Sequence, residues 1–178
     1  MTPREQVEYR ELRATIRERG TTRVWVFAVG IVAWGALATA TSALAATPVA
    51  TLLPLLVVAS IFEAVFALHV GVERVGRYVQ VFHEAGEGDA RWEHAAMAFG
   101  RPAGAARTDA LFFIPFLLAA LFNMVPALVV EPTRSELIFI VGAHALFVVR
   151  LVAARDGARK QRAIDLARFQ EIKNGTPT

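Results

Sequence analysis

The sequence predicts an all-α polytopic membrane protein: four transmembrane helices with cytoplasmic helical extensions and both termini inside. Three observations carry that prediction. Four apolar runs are each long enough to cross a bilayer at ~1.5 Å of rise per residue. Eighteen of the nineteen Lys and Arg residues fall in flanks that successive crossings place on one side. Helix-starting and helix-stopping residues punctuate the ends of those runs. Composition agrees, since 55% of the 178 residues are hydrophobic and mean hydropathy is +0.44, too apolar for an ordinary water-soluble domain.

Residues 1–23 read as a cytoplasmic amphipathic helix. Thr2 and Glu5 have capping-box spacing, and Pro3 suits the first helical position. Tyr9, Leu12 and Ile16 share one face. Glu residues interleaved among the Arg favour packing on protein over a one-sidedly basic, lipid-seeking helix. The first span, 24–46, carries no charge. On it Gly35, Thr39 and Ala43, each four apart, mark a face for close helix contact. Residues 41–48 resemble a signal-peptide cleavage site, but the apolar stretch is too long and its leader too mixed in charge, so an uncleaved span is expected.

The second span, 49–72, contains Glu63 as its one charged residue up to Val72, and its helical pattern runs on to a break at Gly86. Within the cytoplasmic segment 73–109, Asp89 is placed to cap a short helix over 90–99. Trp92, Ala96 and Phe99 share a side of that helix suited to the membrane interface. Residues 101–107 read as loop, with Thr108 and Asp109 capping the third span, 110–130. Pro115 and Pro126 are positioned to bend that span. The fourth, 137–154, follows a second capping box, Thr133 to Glu136, and contains Arg150. The basic segment 155–178 is expected to continue as helix, with an Asp156–Lys160 pair at i,i+4, until Asn174–Pro177 stops it.

Orientation follows from the cations. Six precede the first span, five lie between the second and third, seven run from Arg150 onward, and Arg134 stands alone on the opposite side. Both termini and the middle segment are therefore expected in the cytoplasm, and the chain in the inner (plasma) membrane. The same asymmetry explains a pI near 9.9 without nucleic acid as a partner. The expected partners are the lipid bilayer and either further copies of the chain or another membrane protein. The absence of cysteine excludes disulfides, thiolate metal sites and cysteine nucleophiles.

Polar residues within the spans are the candidates for function. Glu63 and Arg150 lie at nearly equal depth on two helices that run the same way, so an ion pair is expected. Were Arg150 to reach the headgroups instead, burial would keep Glu63 protonated. His69 and Glu73, four apart, join them as a candidate polar or ion site, and Gln80, His83 and Glu84 continue the stripe. Glu93 and His94 stand in the middle segment. His69 and Glu73 have a metal-ligand spacing, but such a site needs three or four ligands, so neither metal nor cofactor is expected. Asn123 and His144 each lie seven residues in from the outer end of their span, at the right depth for an interhelical hydrogen bond. Tyr9, Leu12, Ile16, Trp92 and Phe99 form the expected interaction surface.

No phosphate-binding glycine loop, nucleophile elbow or paired histidine box is present, and the two halves show no inverted repeat. The expectation is a non-enzymatic scaffold or accessory subunit, acting through oligomerisation or partner binding. The alternative is an ion or proton pathway through Glu63, with His69, Glu73 and Arg150 coupled to it. A lesser alternative is a metal-dependent membrane enzyme around His69, Glu73 and His83.

Overall fold

Long apolar segments can pair their backbone groups within lipid only as helices or closed barrels. The computed structural model describes residues 1–44, 47–84, 92–99 and 105–175, with backbone alone at 44, 97–99 and 105–112, and contains no strand among them. Three of the described helices are long and apolar enough to cross a membrane, within Pro3–Ala43, Pro48–Phe82 and Arg134–Lys173. A shorter apolar helix covers Phe113–Val129.

Helix α1, Pro3–Leu44, is one element of 42 residues, ~63 Å long. Its capping box forms: the Thr2 amide donates to Glu5 Oε2 at 2.7 Å, and the Glu5 amide donates to Thr2 Oγ1 at 3.3 Å. The segment 1–23 is therefore not a separate helix. A lone Gly20 lowers helix stability by only ~1 kcal/mol, and helix-compatible neighbours carry the chain through it.

A 3-10 turn, Pro48–Thr51, leads into α2, Leu52–Phe82. Pro54 stands in the first turn of α2, where no amide donor is required. Helix α2 stops before the expected break, with the amides of His83 and Glu84 both returning to the Val79 carbonyl at 2.9 and 3.1 Å. Gly86 and Asp89, singled out above, lie outside the described residues, as do Gly100, Pro102 and the Phe99 side chain.

Helix α3 spans Trp92–Phe99 and α4 spans Ala105–Val129. The start of α4 puts 105–107 in helix where a loop was expected; the rest of that expected loop, 101–104, lies outside the described residues. Ala105, Ala106 and Arg107 are strong helix formers and extend the helix towards the N-terminus. It runs through Pro115 and Pro126, each of which removes one intrahelical donor. Beyond it Glu131 takes a left-handed φ of 53°, and Pro132 prevents continuation. Helix α5, Arg134–Lys173, has 40 residues and passes Gly157 unbroken. Its own capping box links the Thr133 amide to Glu136 Oε2 at 2.9 Å. Two residues past its end Gly175 takes a φ of +69°, which suits a residue without Cβ.

The chain divides into two compact units. One comprises 24–66 and 109–155. Its core is apolar: Leu55, Val58, Ile61, Phe62 and Val65 from α2 meet Phe116, Ala119 and Ala120 from α4 and Phe147, Leu151 and Ala154 from α5. Phe116 is fully buried and takes Phe27 and Phe62 edge-on, at 5.7 and 5.3 Å between ring centroids. Such edge-to-face contacts align ring quadrupoles as well as burying area. Helix α1 joins this core through half-buried Val26, Phe27 and Trp34.

The other unit comprises 1–23, 67–108 and 156–178 and is held by charge and aromatic stacking. Tyr78 stacks on Phe82 at 4.6 Å and meets Phe169 edge-on at 5.6 Å. Arg74 binds Asp165 at 3.2 Å, and Lys173 Nζ donates to the Val81 carbonyl at 2.7 Å. In each unit these contacts pair α2 with residues about 90 later in α5, so the two helices run in the same direction.

Candidate functional site

Equal helical rise makes depth predictable, and the structure sets Arg150 Nη2 2.8 Å from Glu63 Oε2. The guanidinium also lies 5.5 Å from the Phe66 ring centroid and 6.0 Å from that of Phe62, within cation–π range. The pair is not enclosed. Its side chains are 48% and 44% exposed for Glu63 and Arg150, on the outside of the apolar unit beside exposed Leu56, Leu146 and Val149. A carboxylate accepts about four hydrogen bonds and a guanidinium donates five. One donor–acceptor contact between them leaves most of that capacity turned outward.

His69 and Glu73 belong to a different constellation, within the charged unit. Arg23 Nη1 lies 2.9 Å from His69 Nδ1. Arginine is always a donor, so Nδ1 accepts and the ring proton sits on Nε2, which faces Glu73 Oε1 at 3.6 Å. Glu73 in turn binds Arg162 Nε at 3.1 Å. The expected stripe thus becomes a string of polar contacts joining α1, α2 and α5, ending in the Glu73–Arg162 ion pair. Among the described residues, no group of three or more imidazoles and carboxylates is placed to hold a metal ion.

Further along α2, Arg77 donates to Gln80 Oε1 at 3.0 Å. Burial lowers the Arg77 pKa, opposed chiefly by Glu73 and Glu93. Glu84 Oε2 accepts the amides of Glu93 and His94 at 2.9 and 3.3 Å, so a carboxylate from another element caps α3 where its dipole favours negative charge. Glu93 reaches back to Arg13 at 2.5 Å.

Asn123 and His144 meet in the apolar unit, both buried. Asn123 Nδ2 donates to the Thr51 carbonyl at 2.6 Å and faces His144 Nε2 at 3.2 Å. His144 Nδ1 lies 2.8 Å from the Ile140 carbonyl, which puts the ring proton on Nδ1 and leaves Nε2 to accept. The carbonyl of Thr51, outside both helices, is the partner that depth alone did not reveal.

Of the expected interaction surface, Tyr9, Leu12 and Ile16 are half-buried. Tyr9 packs on His83 at 5.8 Å, and its neighbour Glu8 accepts from the Tyr78 hydroxyl at 2.8 Å. Trp92 stays exposed. Within the chain the small-residue face on α1 meets no neighbouring helix: a Cβ on Gly35 would meet nothing within 4 Å, and Thr39 and Ala43 are exposed. The close approach occurs at Gly30, where a Cβ would stand 2.6–2.8 Å from three carbons of Ile61. Rotation of α1 about its axis, not small-residue spacing, selects the contact. The chain matches no protein-family model, no curated protein and no solved structure.

Proposed function

We propose that this chain is a four-pass inner-membrane protein with both termini cytoplasmic, working as a scaffold or accessory subunit through assembly and not through a chemical step. The cation asymmetry supports the orientation. A 25-residue α4, ~37 Å long, supports a fourth crossing. The observation that carries the assembly reading is the outward-facing Glu63–Arg150 pair. Glu63 lies nine residues before the inner end of its span, ~13 Å deep. Each such charge costs ~2.5–3.5 kcal/mol to insert at a helix centre. Pairing and the two phenylalanine rings offset part of that, but lipid tails cannot fill the remaining hydrogen-bond capacity. A protein surface can.

Conduction draws less support from the same geometry. A carboxylate that passes ions lines an enclosed polar path, whereas Glu63 stands on the exterior of its unit. Native mass spectrometry on gently extracted protein tests the proposal. A defined oligomer or a stoichiometric second protein is the expected result. A monomer without any protein partner would overturn it, and proton flux in liposomes abolished by Glu63→Gln would redirect it to the pathway reading.

A further inference from the structure

Building on the assembly reading, we infer that the partner at the Glu63–Arg150 face is a second copy of this chain, related by a two-fold axis along the membrane normal. The argument is one of symmetry. Two copies inserted in the same direction can be related by a rotation about the normal, which preserves depth. Glu63 and Arg150 touch at 2.8 Å, so they share one depth, and they come from neighbouring helices that run the same way. One charge therefore stands beside the other around the bundle. A half-turn brings Glu63 of each copy opposite Arg150 of the other, which makes the face complementary to itself, as an isologous interface requires.

The surroundings fit a helix-on-helix contact. Leu56, Ser60 and Glu63 recur at spacings of four and three on α2 and are all exposed, the seam pattern of interlocking helices. Leu146 and Val149 flank Arg150 on α5 and are 71% and 63% exposed. Ser60 lends a small side chain to the α2 side of this contact, its hydroxyl already bonded to the Leu56 carbonyl at 2.9 Å. In the dimer each carboxylate gains a second guanidinium, and the outward hydrogen-bond capacity left by the single intrachain contact is filled.

The chain has no cysteine, which makes disulfide trapping clean. Ser60→Cys and Leu146→Cys chains, differently tagged, co-expressed and oxidised in native membranes, should give a mixed species at twice the 19.4 kDa monomer, since the half-turn sets α2 of one copy against α5 of the other. Val32→Cys in place of Ser60→Cys, on an exposed face of α1, should not. Charge exchange supplies a second test. Glu63→Arg alone gives an all-positive face and Arg150→Glu alone an all-negative one, so neither should self-associate. Differently tagged and co-expressed, the two should pair with each other, because the interchain contacts are restored while each intrachain contact stays repulsive.

Trapping of Ser60→Cys to Leu146→Cys together with heteropair-specific recovery supports the dimer. Equal trapping from Val32→Cys, or none between Ser60→Cys and Leu146→Cys, overturns it. Should the untrapped protein instead retain a stoichiometric second protein in native mass spectrometry, the dimer falls and the assembly reading stands. With neither, both fall.

Discussion

Replacing Gly30 with alanine tests how α1 is seated in the apolar unit. The added Cβ would lie 2.6, 2.7 and 2.8 Å from Ile61 Cγ1, Cδ1 and Cγ2. Carbon atoms rest at ~3.5–4.0 Å, so the two helices must separate by ~0.7–1.4 Å or Ile61 must move. Ile61 cannot readily turn away, because both γ carbons branch from Cβ and χ1 is confined within a helix. It is also part of the buried core with Val58, Phe62 and Val65. Overpacking of this kind costs ~1–3 kcal/mol, against a helix-propensity gain of ~0.5–1 kcal/mol for Gly→Ala, so that the central values leave a net loss of ~1 kcal/mol.

Reversible unfolding in mixed micelles, read by tryptophan fluorescence, measures it. Ile61→Ala removes all three clashing carbons, so the double variant should be more stable than the sum of the singles by ~1–2 kcal/mol, a coupling typical of touching residues. Gly35→Ala is the control, with open space around it, and should be neutral or slightly stabilising. A Gly30→Ala protein as stable as the parent, or strict additivity with Ile61→Ala, would refute the seating of α1 on α2.

Three further outcomes follow. A double-mutant cycle on Asn123→Ala and His144→Ala should return a coupling of ~0.6–1.7 kcal/mol, the range of interhelical hydrogen bonds in membranes, and strict additivity would count against the clasp. Burial first, and then donation to Glu8, raise the Tyr78 pKa. The folded protein therefore holds that proton more tightly than the unfolded chain, and this contribution to stability is full below the unfolded value near ~10 and is lost as pH rises through the folded one. In a Tyr9→Phe background Tyr78 is the remaining tyrosine, so tyrosinate absorbance should titrate above pH ~10 and move down in Glu8→Gln. The Asp156–Lys160 pair, 2.7 Å apart but mostly exposed, should be dispensable: Asp156→Asn leaves the melting temperature unchanged, as expected for a solvated surface pair.

Much of the candidate site could be read from residue counting. Glu63 with Arg150 and Asn123 with His144 were matched by depth, and depth follows from a constant rise per residue. Both capping boxes were visible because the Thr-x-x-Glu spacing is local. The helix limits were less accessible. Helix α2 stopped early on a carbonyl that accepts two amides, and α4 takes in Ala105, Ala106 and Arg107, whose helix preference was outweighed in the sequence by the Pro and Gly just before them.

Sequence alone determined that the chain is helical, where its apolar runs lie, and which polar groups share a level, since these depend on hydropathy, charge and helical pitch. Only the tertiary structure decided the rotation of each helix about its axis. That rotation sets Glu63 and Arg150 on the outside, seats Gly30 and not Gly35 against a neighbour, and brings Arg23 and Arg162 to His69 and Glu73. Helix rotation results from simultaneous packing of side chains on several elements, a long-range sum that no single segment encodes.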